Sequence, residues 1–411
     1  MKPSEVRSLI QPRRPPAPHG VRRLARCYSI DDLGKVARRR LPAAALAYLE
    51  GGGEDEHTLR RNRAGFDEVE LVPRVLCDVA TIDSTTELFG ATLPAPVVLA
   101  PVGAPRLFHH EGELAVARAA GRAGLPYAIS TVSTFPIERI AAEATGPLWF
   151  QLYLWSDRDA ARELIGRARD AGFTTLLVTV DTAVRSKRER ELRAGVTLPS
   201  PTLSARSVLE GATHPAWWWH FLTSDVITFP NLVSPTAAGT VGGTQAFGSG
   251  LGTLRWEDLT WIRKVWPGPV VLKGIFSVRD ARRAVDVGMD GIVVSNHGGR
   301  QLDHVAATID ALPRIVDAVG DQLTVLLDSG VRRGSDIVTA LALGAKAVLV
   351  GRAHLYGLAA GGEGGVAHAL DILREELEIT MALTGCTRIE EIDATLVRRR
   401  TDPTTTATVE H

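Results

Sequence analysis

The sequence predicts an α/β fold, a closed TIM-type (β/α)8 barrel with an N-terminal helical cap and a long insertion after the fourth strand. From about residue 95 onward, eight short apolar runs rich in β-forming residues alternate with amphipathic helical segments. An open, doubly wound parallel sheet is the competing fold. Its usual GxGxxG turn is missing after the first strand, because APVGAP stands there at 100–105. The eight repeats therefore favour the closed barrel.

The eight predicted barrel strands are short apolar runs that end in glycine, proline or polar residues, as strands buried on both faces do. They are 96–101, 127–131, 148–153, 175–181, 270–274, 291–296, 324–330 and 347–352. Between them, apolar residues recur at helical spacing. The predicted helices are 112–124, 137–144, 159–171, 256–266, 278–287 and 334–343.

The N-terminal part of the chain, residues 1–28, is predicted to be a flexible basic arm. It carries seven Lys and Arg residues against one acid, contains prolines that break a helix, and lacks the apolar core of a secretory signal. Two helices follow over 29–51, with Ser29 as the expected N-cap and three glycines as the stop. We expect these helices to cover the N-terminal mouth of the barrel.

The predicted barrel domain spans 29–391 and closes with a long helix over 364–383. A C-terminal tail, 392–411, comes after it. Its Thr-rich end from residue 401 is expected to be disordered, because it holds too few apolar residues to pack.

The segment between the fourth and fifth strands, 183–253, is much longer than a normal connection. It contains THPAWWWHF and then a glycine-rich stretch. The three consecutive tryptophans at 217–219 cannot all face one core, so one or two are expected to project. Projecting tryptophans suit a peripheral membrane contact through 207–231. A packed lid helix within an oligomer is the alternative.

The overall composition excludes several classes of protein. Equal counts of 47 basic and 47 acidic residues give no whole-chain bias toward nucleic acid. The three cysteines are far apart and lack metal-ligand spacing, which predicts no disulfide framework, no zinc site and a reducing cytoplasmic location. No apolar run approaches the ~18 residues of a spanning helix, so we expect no integral membrane protein. Peripheral binding to the inner face of the cell membrane stays open.

The stretch 291–303, GIVVSNHGGRQLD, is the most informative part of the sequence. An apolar strand ends in a polar tip that holds His297 and Arg300, and two glycines let the backbone turn between them. This pair suits proton removal from a small anionic substrate, because the guanidinium binds a carboxylate while the imidazole acts at the neighbouring carbon. For an isolated His-Gly-Gly, the alternative is a polar loop whose histidine bonds only to backbone.

Other strand ends add matching polar residues, and in eight-stranded barrels the reactive groups gather at the carboxyl ends of the strands. The third to sixth strands end in Gln151, Tyr153, Thr179, Asp181, Lys273 and Ser295. The last two ends, DSGVRRG and GR, combine Arg332 and Arg352 with Gly330, Gly334 and Gly351, whose backbone N–H groups are expected to be bare. Together these two ends predict a phosphate-binding site.

The sequence resembles the FMN-dependent L-2-hydroxy acid oxidases and dehydrogenases, a family that includes glycolate oxidase, L-lactate dehydrogenase and mandelate dehydrogenase. SNHGGRQLD is the most specific motif, and FQLY, TVD, LKG, DSGVRRGSD and VGRAHLYGLA add support in the expected order and spacing. The resemblance covers about 29–391. It implies an FMN-binding barrel that oxidises an L-2-hydroxy acid, with L-lactate favoured and a mandelate-like acid as the alternative, to the 2-oxo acid.

The resemblance also implies roles for individual residues. His297 resembles the general base, and Asp181 the acid that orients its imidazole. Lys273 would stabilise negative charge on the reduced flavin. The implied substrate contacts are Tyr48, Tyr153, Arg188 and Arg300. The implied flavin contacts are Ser130, Gln151, Thr179 and Ser295 at the ring edge, Asp328 at the ribityl chain, and Arg332, Gly351 and Arg352 at the phosphate.

Two departures from the glycolate oxidase pattern bear on the substrate and the electron acceptor. Val132 stands where glycolate oxidase carries a bulky Trp over the substrate, so we expect the pocket to admit larger or branched side chains. Gly103 stands where oxidases commonly have Ala, and there the chain resembles the lactate and mandelate dehydrogenases of the family. With the HPAWWWHF segment, which resembles a membrane-docking insertion, these departures favour transfer to a quinone or other carrier. A soluble oxidase that uses O₂ and releases H₂O₂ is the alternative. An isomerase that uses reduced FMN and a catalytically retired binding module are further hypotheses, and the family implies a homotetramer.

Overall fold

The computed structural model describes residues 23–195, 213–232 and 254–400. Most of the predicted arm, two parts of the predicted insertion and the Thr-rich end of the tail lie outside these described residues. Within the predicted insertion, 183–253, the structure describes residues 183–195 and 213–232. Within the described ranges, no helix is both long enough and apolar enough to cross a lipid bilayer.

Eight parallel strands form a closed barrel in sequence order, and the last of these strands pairs with the first. This confirms the predicted fold class. The barrel strands are β4 (Val97–Leu99), β5 (Tyr127–Ser130), β6 (Leu148–Leu152), β7 (Thr175–Thr179), β8 (Val270–Ile275), β9 (Gly291–Val294), β10 (Thr324–Leu327) and β11 (Ala347–Val350). The other strands are β1 (Val69–Leu71), β2 (Thr86–Leu88), β3 (Ala91–Leu93) and β12 (Val397–Arg399). Each predicted barrel strand is present, and several end before the predicted limit because their polar ends leave the ladder.

Helices surround the barrel. They are α1 (Ile30–Arg40), α2 (Ala43–Glu50), α3 (His57–Asp67), α4 (Gly112–Arg122), α5 (Ile137–Glu143), α6 (Arg158–Asp170), α7 (Glu189–Arg193), α8 (Pro215–Thr223), α9 (Trp256–Val265), α10 (Val278–Asp286), α11 (Thr308–Val319), α12 (Gly334–Ala342) and α13 (Arg352–Leu383). A kink at Gly361 and Gly362 divides α13, and the predicted last helix is its second part. Sequence patterns missed α3, which is mostly polar, and α11, which carries Pro313 inside.

The core consists of two apolar clusters. One fills the barrel interior with side chains such as Val98, Leu177 and Leu326. The other lies between the strands and the surrounding helices. Burial of this apolar surface supplies the main driving force for folding and fixes the strand ends in register.

The two mouths of the barrel are covered by different elements than expected. Leu88 and Leu93 of the β2–β3 hairpin join the interior cluster, and Phe89 packs against Trp149 at the start of β6. The hairpin therefore closes the N-terminal mouth. The prediction that α1 and α2 cover this mouth was wrong, because the end of α2 lies at the opposite, carboxyl mouth, where Arg352 donates to Leu49 O at 3.0 Å.

The chain ends pack more than predicted. Residues of the expected arm contact α13, since Arg23 donates to Ala360 O and His368 bonds to Cys27 O. At the other end, β12 pairs antiparallel with β1, and Leu396 just before it is fully buried. Ordered structure thus continues past residue 391 into the predicted tail.

Candidate active site

A cavity of about 270 Å³ opens at the carboxyl ends of the barrel strands, and its size approaches the ~300–1,000 Å³ of small-molecule sites. Twelve of the fifteen site residues predicted from the sequence line it. They are Tyr48, Gln151, Tyr153, Thr179, Arg188, Lys273, His297, Arg300, Asp328, Arg332, Gly351 and Arg352. The other three, Ser130, Asp181 and Ser295, hydrogen-bond to lining residues.

His297 lies in a strained turn directly after β9. It has φ 60°, and Gly298 and Gly299 follow with φ 68° and 74°, so three successive residues are left-handed. A Cβ at Gly298 would lie 2.8 Å from Arg352 Nη1, which explains glycine there. The turn aims the imidazole into the cavity.

Asp181 fixes the orientation of the His297 ring, because its two carboxylate oxygens lie 3.0 and 3.2 Å from Nδ1. Burial opposes ionisation of Asp181, but His297 and Lys273 together keep its pKa below the ordinary value. The carboxylate therefore accepts from Nδ1–H, and Nε2 keeps its lone pair. Burial also lowers the pKa of His297, partly offset by Asp181, so the ring is neutral near pH 7. A neutral imidazole oriented in this way can act as a base.

Two tyrosine hydroxyls and two arginines surround the face of His297. Tyr153 Oη lies 3.4 Å from His297 Nε2, and Tyr48 Oη donates to Gly103 O at 3.3 Å. Burial raises the pKa of both phenols, so both stay protonated donors. Burial, with the neighbouring Arg300, lowers the pKa of Arg188 to about 10, which leaves it charged at neutral pH.

The two arginines differ in how they are held. Arg300 donates to Tyr48 O at 2.7 Å, Gly51 O at 3.0 Å and Glu191 at 2.7 Å, so much of its guanidinium is committed to the protein. Arg188 donates through Nε and Nη2, while its Nη1 approaches Glu191 only to 3.9 Å. Within the described residues, Arg188 Nη1 has no hydrogen-bond acceptor and faces the same cavity. Arg188 is therefore the better placed to bind an incoming carboxylate.

Sequence reasoning missed Glu191 and Arg185. Glu191 on α7 is fully buried and lies near three guanidiniums, those of Arg185, Arg188 and Arg300. Its spacing from Arg188, three residues along a helix, was the available signal. Arg185 also lines the cavity.

Buried polar groups stand in two hydrogen-bonded sets at six successive strand ends, from β5 to β10. Ser130 Oγ donates to Gln151 Oε1 at 3.0 Å, and Gln151 Nε2 donates to Thr179 Oγ1 at 2.9 Å. Lys273 Nζ lies 2.9 Å from Ser295 Oγ and 2.7 Å from Asp328 Oδ2. These donors and a buried ammonium fit the polar edge of a flavin ring, which gains electron density on reduction.

The far end of the cavity is electropositive. Burial and the Arg300 cation lower the pKa of Arg352 to about 9, and burial also lowers that of Arg332. In the described ranges neither guanidinium forms an ion pair with a carboxylate. Gly351 is the N-cap of α13, so the N-terminus of this helix lies beside the two guanidiniums. Two desolvated cations at a helix start fit the phosphate of FMN.

Two of the three glycines predicted to offer bare N–H groups, Gly330 and Gly334, also have structural roles. Gly334 N donates to Glu376 at 2.9 Å, so the expectation for this residue was wrong. A Cβ on Gly330 would lie 2.2 Å from Asn62 O, which shows that α3 packs directly against this turn.

The motif at 295–303 also braces α3 against the site. The amides of Asn62 and Asn296 exchange two hydrogen bonds of 2.8 Å. Asp303 accepts from the backbone N of His57 and Thr58 at the start of α3, and these bonds lower its pKa to about 2 despite the opposing effect of burial. Part of the motif therefore serves structure rather than chemistry.

Comparisons with known proteins agree with this geometry. The family model described as FMN-dependent dehydrogenase matches residues 37–399. A protein named putative L-lactate dehydrogenase from Mycobacterium tuberculosis is 44% identical over 391 residues, covering 94% of this chain and 93% of that protein. The L-lactate dehydrogenase of Caulobacter vibrioides is 44% identical over 379 residues, covering 90% and 98%.

Solved structures give the same answer. The crystal structure described as monotopic membrane protein (S)-mandelate dehydrogenase superposes with a TM-score of 0.87 at 38% identity, covering 91% of this chain and 100% of that one. A mandelate oxidase variant superposes with a TM-score of 0.78 at 39% identity, covering 91% and 98%. Sequence, barrel and site agree throughout, and the chain belongs to the FMN-dependent dehydrogenase family as an FMN-dependent 2-hydroxy acid oxidoreductase.

Proposed function

We propose that this enzyme oxidises L-lactate to the 2-oxo acid and passes the electrons to a membrane quinone. The observation that carries the proposal is the arrangement of one cavity. In it, the His297–Asp181 pair faces Tyr153 and Arg188 on one side and the buried Lys273 on the other. A base, a carboxylate anchor and a charge-stabilising ammonium are the groups this oxidation needs.

Substrate binding is assigned to the arginine side of the cavity. Arg188 binds the substrate carboxylate through Nη1, and Arg300, held by the backbone of α2, adds positive charge. The protonated hydroxyls of Tyr48 and Tyr153 donate to the carboxylate or the 2-hydroxyl. This arrangement orients the 2-carbon toward His297 Nε2.

Proton removal is assigned to His297. Its neutral Nε2 accepts the proton that the substrate releases, and Asp181 offsets the positive charge the ring then gains. Bound FMN supplies the two-electron oxidant. Lys273, held by Ser295 and Asp328, stabilises negative charge at the flavin edge. A positioned base contributes typically ~10²–10⁴-fold.

L-lactate is favoured because two similar relatives carry that name at 44% identity over most of the chain. The wall above the site is formed partly by Gly103 and Val132, and a Cβ at Gly103 would lie 3.1 Å from both Tyr48 Oη and a Val132 methyl carbon. Small residues here leave room for a longer or aromatic side chain. A mandelate-like acid is therefore the competing substrate, as the names of the structural neighbours suggest.

The membrane part of the proposal concerns the segment 213–232. Trp219, Leu222 and Val226 are 68%, 72% and 82% exposed, and such a group of large apolar side chains suits the interface of a bilayer. The similar mandelate dehydrogenase is described as monotopic. We assign the enzyme to the cytoplasm, as a homotetramer bound peripherally to the inner face of the membrane.

Anaerobic mixing of the purified yellow protein with a panel of L-2-hydroxy acids tests the reaction. Bleaching of the flavin should be fastest with L-lactate, and no bleaching with any acid would reject the proposal. The acceptor is tested by adding a quinone or O₂ to the reduced protein. Rapid peroxide formation without quinone reduction would support the soluble oxidase instead.

A further inference from the structure

A second cavity, of about 150 Å³, lies beneath α8 and outside the site described above. Its walls include three aromatic side chains, Phe108, Trp217 and Phe221. The rings of Trp217 and Phe221 are stacked, with centroids 5.0 Å apart, and Trp217 Nε1 is fixed by Leu107 O at 2.9 Å. Flat, rigid aromatic walls of this kind suit a planar ligand.

The two cavities share one lining residue within the described ranges, the aromatic Phe108. Its ring packs against that of Tyr48, which lines the first cavity, with centroids 6.0 Å apart. The chain that leaves α8 continues along the same boundary, since Ile227 lines the second cavity and Phe229 the first. A ligand in the second cavity would therefore lie next to the site where the flavin is reduced.

The polar side of the second cavity is a cluster of three histidines. The ring centroids of His109 and His110 are 4.4 Å apart, and those of His110 and His220 are 4.2 Å apart with planes at 10°. Burial lowers the pKa of His109 to about 3 and also lowers that of His110, aided by the neighbouring imidazoles. Both rings are thus neutral near pH 7 and each carries one N–H donor.

One nitrogen atom in this cluster is buried without the hydrogen-bond partner that a buried polar atom normally has. His110 Nδ1 is buried and has no hydrogen-bond partner among the described residues. A buried polar atom of this kind costs free energy unless a ligand or water satisfies it. Arg40, Arg106 and Asp225 also line the cavity, but both arginines donate to backbone carbonyls, so the histidine N–H groups are the donors offered to a ligand. A ligand with carbonyl acceptors on a flat ring matches both the donors and the aromatic walls.

The outer side of α8 gives this cavity a hydrophobic approach. Trp219 and Leu222 lie on the same helix as the lining residues Trp217, His220 and Phe221, yet their side chains are exposed. If the exposed side rests on a bilayer, a lipid-soluble ligand reaches the inner side without crossing bulk water.

We propose that the second cavity binds the headgroup of a quinone, which accepts the electrons of the reduced flavin across Phe108. The inference rests on the proposed function, because it needs a quinone acceptor. Oxidation of the hydroxy acid to the oxo acid releases two electrons and two protons. The quinone takes up both electrons and both protons and leaves as the quinol, with His110 and His220 bonding its oxygens.

The test measures the two half-reactions separately in the purified holoenzyme. L-lactate first reduces the flavin anaerobically, and a ubiquinone with one isoprene unit or ferricyanide then reoxidises it. In the double variant H110A/H220A, flavin reduction should stay within about twofold of wild type, while reoxidation by the quinone should fall at least about tenfold. Ferricyanide, which needs no pocket, should react at the wild-type rate.

A matched control comes from another stacked histidine pair. His57 and His304 have ring centroids 4.4 Å apart and line neither cavity, so H57A/H304A should leave both half-reactions unchanged. Ala216 lines the second cavity, and A216W should slow the quinone without removing a histidine.

The possible outcomes distinguish a failure of the cavity assignment from a failure of the proposed function. Wild-type quinone rates in both H110A/H220A and A216W would overturn the cavity assignment while the proposed function stands. Equal slowing of quinone and ferricyanide would also overturn it, because the defect would then be general. A wild-type enzyme that L-lactate reduces but that no quinone reoxidises would instead reject the acceptor in the proposed function, and the cavity assignment with it.

Discussion

The carboxyl rim of the barrel and the segment 213–232 both line the first cavity, but they are held in different ways. At the rim, Gln151 on β6 and Lys273 on β8 are buried on either side of β7, and each is bonded to side chains of adjacent strand ends. In the segment, α8 has no fully buried residue, and Trp217 Nε1 fixes it by a bond to Leu107 O. The end of the segment is held more firmly, since the buried Asn231 bonds to the loop that follows β5. The chemistry therefore lies where geometry is fixed by strand register, whereas the exposed side of α8 can change without disturbing it.

Replacing the base should have the largest effect on the reaction rate, because the chemistry takes place at the carboxyl rim. His297→Gln removes the proton acceptor, so flavin reduction by L-lactate should slow ~10²–10⁴-fold. Stopped-flow absorbance of the flavin measures the rate, and the FMN content should stay at the wild-type level. A rate within tenfold of wild type would mean that His297 is not the base, and H304Q on an exposed histidine is the control.

The buried Lys273–Asp328 pair should give the next largest effect. Lys273→Met leaves the Asp328 carboxylate buried without its ammonium partner at 2.7 Å, and breaking such a pair costs ~3–5 kcal/mol. Urea unfolding of the FMN-bound protein measures the loss. The double variant K273M/D328N should recover much of the stability, and equal losses in the single and double variants would contradict the pairing.

The pH dependence of kcat/KM tests the role of Asp181 as the partner that raises the pKa of His297. Burial depresses the pKa of His297, so the neutral base is present at neutral pH and kcat/KM should fall only as the pH drops below the ordinary histidine range. Asp181 raises that pKa, hence Asp181→Asn should move the acid limb to still lower pH while reducing kcat. A shift to higher pH would contradict this reasoning. Asp286→Asn, at an exposed position, is the control.

The smallest effects should come from replacing the tryptophans of α8. These variants directly test the contrast between the carboxyl rim and the segment 213–232. Trp219 is exposed, so Trp219→Ala should change the free energy of unfolding by less than ~0.5 kcal/mol but weaken binding to liposomes. Trp217→Phe removes the bond to Leu107 O and should cost about 1 kcal/mol. Sedimentation with vesicles and urea unfolding separate the two effects, and unchanged vesicle binding in W219A would count against the membrane contact.

The barrel and much of the candidate site could be predicted because parallel strands bring their carboxyl ends together whatever the sequence between them. His297, Asp181 and Lys273 end apolar runs that are visible one by one, so their meeting at one site follows from the fold. The resemblance added Tyr48 and Arg188, which come from outside the strands.

Other features depend on contacts between distant parts of the chain. The amphipathic pattern of α1 and α2 shows that they pack on something, but not at which mouth. That choice depends on Arg352, which bonds to the carbonyls of Leu49 and Gly51. The histidine cluster joins residues about a hundred positions apart, and no spacing in the sequence could bring His220 beside His110.

The burial of Glu191 has a consequence for how the enzyme responds to its surroundings. Three guanidiniums lie near this one carboxylate before any substrate arrives, and their residues, Arg185, Arg188 and Arg300, all line the cavity. Such a pocket attracts chloride, sulfate or oxalate for the same reason that it attracts a hydroxy acid. The apparent KM should therefore rise with the concentration of inorganic salts, and the anions around the enzyme become competitors that set its working affinity.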